Sequence, residues 1–276
     1  SLETLPFAGS FIHRAGVRGF FMNIALIMAG GTGTRMNHST PKQYLLLNGA
    51  PIVLHTLRAF ESCSAIDAIC LACAPSYLPL MQRMIQEHHL TKVRYFAEAG
   101  KDRRLTSKNA VEAMAPFCAP EDILLIHDAV RPFVTERIIL ENIRMAREYG
   151  AVYTVYPVQD TIVQSLNGKE LSDIPDRSAL YLGQTPQSFR CSLIQQAHQR
   201  YAAQTSPAPV TDDCSLVLQM GHPVYLVSGS KTNIKITTPE DMEIARFFAQ
   251  KFSFAESNAV DSGSIKHHDL SRGDAS

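Results

Sequence analysis

The chain lacks any long hydrophobic run, and it has no excess of charge of either sign. Its longest apolar stretches, such as residues 24–29 and 123–126, fall far short of the roughly 20 residues that a membrane-spanning helix needs. Lys plus Arg and Asp plus Glu each number 26, so no overall positive field attracts nucleic acid or an anionic membrane surface. We therefore expect neither partner, and we expect functional basic groups to be concentrated locally.

Paired cysteine spacing of the zinc-site type is also missing. Six cysteines are scattered along the chain, and the CxxC pair of Cys70 and Cys73 lies inside an apolar run that indicates a buried strand. This usage favours a reducing cytoplasm. Residues 1–21 contain no apolar core of signal-peptide length, so we interpret them as an N-terminal extension and expect the domain to begin at Met22.

From Asn23 onward, short apolar runs rich in β-forming residues alternate with longer amphipathic segments. This alternation is typical of an α/β fold, a Rossmann-like, mostly parallel sheet with helices on both faces. We predict one domain over residues 22–252. The predicted strands are residues 24–28, 68–74, 93–96, 123–127, 151–157 and 223–227, and the predicted helices are residues 52–61, 76–88, 106–115, 135–149 and 239–252.

Polar and β-forming residues surround Asn167 and Gly168, a dipeptide typical of hairpin turns. They predict a protruding β-arm over residues 159–183. Because a lone hairpin buries too little core to be stable, the arm should pack on a second subunit, as in a homodimer, or fold back on its own domain. The segment 253–276 is rich in Ser, Asp, Gly and His, and we expect it to be a disordered tail.

A glycine-rich segment, MAGGTGTRM, occupies residues 28–36 directly after the first predicted strand. Such glycines let the backbone approach a polyphosphate closely, and their N–H groups can form an anion-binding nest. Arg35 and Lys42 can reach the same phosphates. The segment is neither a P-loop nor a dinucleotide-binding GxGxxG with an acidic ribose ligand. It predicts a nucleotide site formed by Met28, Ala29, Gly30, Gly31 and Gly33.

The segment HDAVRP, residues 127–132, follows the predicted strand at residues 123–127. Ligands of open α/β sheets bind at the carboxyl ends of the strands. A carboxylate in that position can hold Mg²⁺ against nucleotide phosphates. We therefore predict that Asp128 binds magnesium.

Five segments together resemble the glycosyltransferase-like nucleotidyltransferases that make CDP-polyols from CTP. They are the glycine loop with Arg35 and Lys42, HDAVRP, an Asp-Thr pair at residues 160–161, TPQ at residues 185–187 and NIKIT at residues 233–237. In this order they resemble the methylerythritol phosphate and ribitol-5-phosphate cytidylyltransferases over residues 23–249. The resemblance implies transfer of CMP from CTP to a small polyol phosphate, with Mg²⁺ as cofactor and no covalent enzyme intermediate.

The resemblance also implies roles for individual residues. Arg35 and Lys42 are expected to stabilise the transition state, and Gly100, Ser107 and Ala129 are expected to surround the cytidine. In a homodimer, Thr161 or Arg177 would reach in from the partner's arm. The full set expected to hold the acceptor's phosphate is Thr161, Arg177, Thr185, Lys235 and Arg131.

Two acceptors fit this resemblance. The GGTGTRM form of the loop, IPDR at residues 174–177 and GQTPQSF at residues 183–189 are closer to the ribitol branch, which favours D-ribitol 5-phosphate as acceptor and CDP-ribitol as product. The alternative is 2-C-methyl-D-erythritol 4-phosphate, in isoprenoid precursor synthesis. The sequence departs from the family at residues 100–107, where one extra residue leaves the pairing of Arg103 or Arg104 open. It departs again at Thr232, where the methylerythritol branch can carry an acidic metal ligand.

Two other classes of function compete with this interpretation. A nucleotide-binding protein that has lost catalysis would show damage at Arg35, Lys42 or Asp128, and all three residues are present. A dinucleotide-dependent oxidoreductase would carry an acidic ribose ligand after the glycine loop, and the chain has basic residues there instead. Both alternatives are therefore disfavoured.

Overall fold

The computed structural model describes residues 21–31, 40–206 and 208–262, with side chains described as far as residue 251. Residues 1–20 and 263–276, most of the predicted extension and part of the predicted tail, lie outside these ranges. The strands are β1 (Asn23–Ala29), β2 (Leu46–Leu47), β3 (Ala50–Pro51), β4 (Ala68–Cys73), β5 (Val93–Glu98), β6 (Ile123–Asp128), β7 (Ala151–Pro157), β8 (Tyr181–Arg190) and β9 (Tyr225–Ser228). The helices are α1 (Ile52–Ser62), α2 (Leu78–Glu87), α3 (Arg103–Met114), α4 (Glu136–Tyr149), α5 (Cys191–Ala202), α6 (Asp213–Gln219) and α7 (Pro239–Ser262).

Seven of the strands form one twisted sheet in the order β5-β4-β1-β6-β8-β7-β9. The pairs β5–β4, β4–β1, β1–β6 and β7–β9 are parallel. Strand β8 runs antiparallel to both of its neighbours, β6 and β7. The sheet is therefore mostly parallel, and the predicted α/β fold class is confirmed.

The central strand β1, with the sequence NIALIMA, is buried along its whole length. Side chains of a strand alternate between the two faces of the sheet. Ala25 and Ile27 pack with α1, α2 and α4 on one face, while Leu26 and Met28 pack with α3, α5 and α6 on the other. Burial on both faces explains why the sequence shows a continuous apolar run here rather than an alternating pattern.

Helix α3 begins at Arg103, three residues before the predicted start at residue 106. Asp102 caps the helix, because its Oδ1 accepts a hydrogen bond from the N–H of Leu105 at 2.8 Å. Thr135 caps α4 in the same way, since its Oγ1 accepts from the N–H of Ile138 at 3.4 Å. The earlier start of α3 places an arginine in its first turn, close to the end of β6.

The predicted β-arm contains little regular β-structure. Between residues 158 and 180, the antiparallel pairing consists of one bridge, Gln164 to Asp173, and Gly168 makes the predicted turn with a φ of 72°. The last residues assigned to the arm belong instead to β8 of the main sheet. The arm exposes a row of apolar side chains: Val163, Leu166, Leu171 and Ile174.

Helix α7 spans Pro239–Ser262 and so continues past residue 252, where the sequence analysis ended the domain. Its first turns pack Met242 and Ala245 against Leu47, Ile52 and Val130. None of the helices in the described ranges combines the length and apolar character required to cross a bilayer. The C-terminal helix thus braces the loop that follows β6.

Asp122 joins the start of β1 to the turn before β6, and we predict that it contributes strongly to stability. It is fully buried, and its carboxylate accepts from the N–H groups of Met22 and Ala119, both at 2.7 Å. Asp122→Ala leaves both N–H groups without this acceptor, which should lower the free energy of unfolding by about 2–4 kcal/mol. Urea denaturation measures the change.

The neighbouring Glu121 provides the matched control. Its carboxylate is half exposed and lies 3.4 Å from Arg190, so Glu121→Ala should change stability by about 0–1 kcal/mol. Equal losses in the two variants would contradict the assigned role of Asp122.

Candidate active site

A cleft of about 330 Å³ opens at the carboxyl ends of β1 and β6. In open α/β sheets this edge is where ligands bind. The cleft brings together seven residues that the sequence analysis selected, namely Met28, Gly30, Gly31, Lys42, Gly100, Asp128 and Lys235, and it adds Gln43, Lys101, Asp102, Arg103, Thr106 and Val130. Residues from distant parts of the chain therefore meet around one cavity.

Gln43 anchors the described part of the glycine loop through two hydrogen bonds. Its side-chain amide donates to the carbonyl of Ala29 at 2.7 Å and to that of Gly31 at 2.8 Å. Gln43 and Lys42 lie in the same short 3-10 turn, so the turn that anchors the loop also carries the predicted catalytic lysine. Gly33 and Arg35 lie outside the described residues, and their predicted roles rest on sequence alone.

Close packing explains why two of the predicted site residues, Gly30 and Gly100, are glycines. A Cβ on Gly30 would lie 2.5 Å from the Cβ of Ala99, and a Cβ on Gly100 would lie 2.7 Å from the backbone carbon of Leu105. The N–H of Gly100 also donates to Oγ1 of Thr106 at 3.0 Å. The loop after β1 thus contacts the loop before α3, and both loops line the cleft.

Asp128, the last residue of β6, is surrounded by three cations. Its Oδ2 lies 2.9 Å from Nζ of Lys235 and 3.4 Å from Nε of Arg131, and its Oδ1 lies 3.4 Å from Nε of Arg103. Burial opposes ionisation, but Arg103, Lys235 and Arg131 outweigh it and hold the pKa of Asp128 well below its ordinary value. Asp128 is therefore a permanent carboxylate at the floor of the cleft.

The residues present can hold Mg²⁺ only together with a substrate. Among the described side chains, no group of three or more His, Cys, Asp or Glu residues could hold a metal ion. Mg²⁺ keeps several waters and commonly binds through one or two carboxylates plus substrate phosphates. Asp128 meets this requirement with one carboxylate. Thr232 adds no negative charge, and its hydroxyl is hydrogen-bonded to that of Ser230 at 2.8 Å.

Arg131 and Thr185, predicted to hold the acceptor's phosphate, are buried and bonded within the protein. Arg131 donates from Nη1 to the carbonyl of Asn233 at 2.8 Å. Oγ1 of Thr185 accepts from the N–H of Asp128 at 3.1 Å and lies 3.0 Å from Nδ1 of His127. These contacts tie β6 to β8 and to the NIKIT segment. The structure thus gives both residues a supporting position behind Asp128.

Ser107 and Ala129, expected to touch the cytidine, are fully buried and do not line the cleft. The hydroxyl of Ser107 donates to Oδ1 of Asp213 at 2.5 Å, and the carbonyl of Ala129 accepts from Oγ1 of Thr56 at 2.7 Å. The structure therefore does not bring the Ser107 hydroxyl to the cleft, and its contact with the nucleotide stays a prediction. Thr106, its neighbour, faces the cleft instead.

Thr161 and Arg177 are exposed on the arm and do not line the cleft of their own chain. Nη1 of Arg177 donates to the carbonyl of Gln159 at 3.0 Å. The structure therefore does not bring these two residues to Asp128 within one chain. Their predicted role depends on a second subunit.

The position of α3 resolves which arginine faces the site. Arg103 lines the cleft and contacts Asp128, whereas Arg104 lies over the ring of Tyr201, 5.1 Å from its centroid. Nη1 of Arg103 also donates to Oδ2 of Asp213 at 2.7 Å. The sequence analysis missed Asp213. The only signal in the sequence was a pair of acidic residues at the start of a short helix, and such a pair ordinarily indicates a helix cap.

Comparison with known proteins gives the same family throughout. A family model described as IspD, 2-C-methyl-D-erythritol 4-phosphate cytidylyltransferase, matches residues 23–251. The 2-C-methyl-D-erythritol 4-phosphate cytidylyltransferase of Syntrophus aciditrophicus is 38% identical over 229 residues, which cover 83% of this chain and 96% of the relative.

Solved structures agree with the sequence match. The 4-diphosphocytidyl-2C-methyl-D-erythritol synthase of Anaerococcus prevotii superposes with a TM-score of 0.73 at 28% identity, covering 83% of this chain and 96% of that one. The Francisella tularensis 2-C-methyl-D-erythritol 4-phosphate cytidylyltransferase gives 0.69 at 27%, covering 82% and 99%. With its fold and nearly its whole domain matched, the chain belongs to the IspD family of CTP-dependent cytidylyltransferases.

Proposed function

We propose that this cytidylyltransferase transfers CMP from CTP to 2-C-methyl-D-erythritol 4-phosphate and releases pyrophosphate. The observation that carries the proposal is the family match over residues 23–251, supported by a relative that bears this activity in its name and is 38% identical. The preference for D-ribitol 5-phosphate rested on short loop forms within the shared motifs. The longer match favours the alternative, and ribitol phosphate remains the rival acceptor.

Catalysis in this proposal consists of alignment and charge compensation. The acceptor's phosphate oxygen attacks the α-phosphorus of CTP in line, forming one P–O bond as the bond to pyrophosphate breaks. A phosphate monoester is already a nucleophile, so no residue has to activate it. Lys42 offsets the negative charge that builds on the phosphates, and Lys235, which lines the same cleft, orients the acceptor's phosphate. Arg35 is assigned beside Lys42 from the sequence.

Magnesium is the proposed cofactor. Asp128 would hold it, with phosphate oxygens and water completing the coordination shell. A Mg²⁺ ion held there would offset the negative charge of the nucleotide phosphates. The three cations around Asp128 hold the pKa of its carboxyl well below the ordinary value and so favour the ionised form.

The acceptor can be tested directly. Purified protein is incubated with CTP and Mg²⁺ and with either 2-C-methyl-D-erythritol 4-phosphate or D-ribitol 5-phosphate, and pyrophosphate release is followed. We expect release with the methylerythritol compound and none above background with ribitol phosphate, and we expect EDTA to abolish it. Release with ribitol phosphate alone would overturn the acceptor and leave the reaction class intact.

Lys42 should contribute to the chemical step more than to folding. Its position in the cleft predicts that Lys42→Ala lowers kcat by about 10²–10³-fold, the range seen when one preorganised charge-stabilising group is removed. The thermal unfolding temperature should stay near that of the parent protein. Lys108, which pairs with Glu112 on α3, is the matched control, and Lys108→Ala should retain full kcat. Equal activities of the two variants would remove Lys42 from the mechanism.

We further propose that the active protein is a homodimer whose arms complete the two sites. Four apolar side chains of the arm, Val163, Leu166, Leu171 and Ile174, are 54–85% exposed in the single chain, and apolar area of this kind marks a contact surface. Arg177 lies on the same arm, away from its own cleft. In a homodimer, Arg177 would reach the cleft of the partner subunit.

Co-expression of two inactive variants tests this sharing. If Arg177 acts across subunits, a differently tagged hybrid of Lys42→Ala and Arg177→Ala chains contains one fully intact site. The purified hybrid should then show about half of the parent activity. If each arm serves its own chain, every site in the hybrid carries a defect, and activity stays at the level of the single variants.

A further inference from the structure

Asp213 is a fully buried carboxylate that does not touch the cleft. It is the first residue of the short helix α6, 110 residues along the chain from Arg103. Its Oδ2 accepts from Nη1 of Arg103 at 2.7 Å, and its Oδ1 accepts from Oγ of Ser107 at 2.5 Å. Nε2 of His198 lies 3.4 Å from the same Oδ1. One carboxylate therefore holds two successive turns of α3 and one residue of α5.

This arrangement keeps Asp213 charged. Burial raises the pKa of Asp213, but the charge of Arg103 and the contacts from His198 and Ser107 outweigh that effect and lower the pKa to about 2. An ionised carboxylate without partners would be very costly at such a position. The group is thus fixed in place by its partners, and it fixes them in return.

Arg103 links this buried carboxylate to the cleft. Its guanidinium is bonded to Asp213 at 2.7 Å through Nη1, and its Nε lies at the longer distance of 3.4 Å from Asp128. The side chain is 25% exposed and forms part of the cleft wall. The contact with Asp213 is the shorter one, so Asp213 fixes the guanidinium while Nε keeps its longer contact with Asp128.

Arg103 also retains unused hydrogen-bonding capacity. Among the described residues, its Nη2 is buried without a hydrogen-bond partner. A guanidinium presents its donors in a rigid planar fork, so an arginine fixed through Nη1 has its other donors fixed as well. An anionic ligand in the cleft would therefore meet an Arg103 side chain whose orientation is already set.

We propose that Asp213 is a positioning residue of the nucleotide site, which holds Arg103 in the orientation that receives CTP. Asp213 acts through Arg103 and not on the nucleotide itself. Ser107 contributes by tying the next turn of α3 to the same carboxylate. The inference rests on the proposed reaction of CTP, and it assigns to Ser107 a supporting role in place of the predicted contact with cytidine.

A double-mutant cycle on CTP affinity tests the proposal. CTP binding is measured by calorimetry in EDTA for the parent protein, Asp213→Asn, Arg103→Gln and the double variant. We expect Asp213→Asn to weaken CTP binding about tenfold in the parent background and to have no further effect once Arg103 is replaced, because residues that act as one unit are not additive. The KM for the acceptor should remain that of the parent protein.

Asp212 is the matched control. It is adjacent, and its carboxylate caps α6 by accepting from the N–H of Ser215 at 2.9 Å and bonds to the hydroxyl of Tyr153 at 2.5 Å. It has no described contact with Arg103. Asp212→Asn should therefore lower the unfolding temperature and leave CTP affinity unchanged. A loss of CTP affinity in Asp212→Asn equal to that in Asp213→Asn would mean that α6 merely supports the fold, and would overturn the proposal.

Other outcomes are equally decisive. Parent-like affinity in Asp213→Asn, or the same loss in both Arg103 backgrounds, would also overturn it. If Asp213→Asn does not fold, Arg103→Lys answers the question, since lysine keeps the charge but cannot contact both carboxylates through a planar fork. Arg103→Lys should then weaken CTP binding, and parent-like affinity would contradict the proposal. If the parent protein itself does not bind CTP, the proposed reaction fails, and that result is distinct from any failure of Asp213.

Discussion

The site depends on an imbalance of buried charge at the end of β6. Arg103, Arg131 and Lys235 converge on Asp128, and Asp213 supplies a second carboxylate behind them. Three cations thus face two carboxylates, and the lining of the cleft adds Lys42, Lys101 and Asp102, which leaves positive charge in excess. Such an excess is costly unless an anion offsets it. A nucleotide triphosphate carries the charge that this cluster lacks, so the electrostatics favour the ligand before any contact with the base is made.

The fold holds this cluster together through the antiparallel strand in an otherwise parallel sheet. Strand β8 pairs with both β6 and β7, and its Thr185 accepts from the N–H of Asp128. Arg131 extends from the loop after β6 to the carbonyl of Asn233, and the N–H of Ile236 donates to the carbonyl of Val130 at 2.9 Å. Lys235 therefore reaches Asp128 because the segment around it is bonded on both sides to the loop after β6.

The sequence predicted the parallel strands well, because burial on both faces leaves continuous apolar runs, as in β1. It did not predict β8, since the buried positions of that strand include Gln184, Thr185 and Gln187, whose polar side chains are typical of a loop. The orientation of Ser107 could not be predicted for a related reason. Local sequence indicates that a residue lies on a helix near the site, but which face it presents depends on Asp213, over a hundred positions away.

The difference between local motifs and contacts made by distant residues also explains why the motifs identify the reaction more firmly than the acceptor. Both candidate acceptors present a phosphate monoester, and a lysine such as Lys235 would bind that group in either compound. They differ in chain length and in a methyl branch, which must be read by side chains that contact the carbon skeleton. Such contacts discriminate between two acceptors by only about 1–3 kcal/mol per methylene. The cationic motifs do not determine which side chains make them. A match over the whole domain is therefore stronger evidence for the acceptor than the form of any one loop.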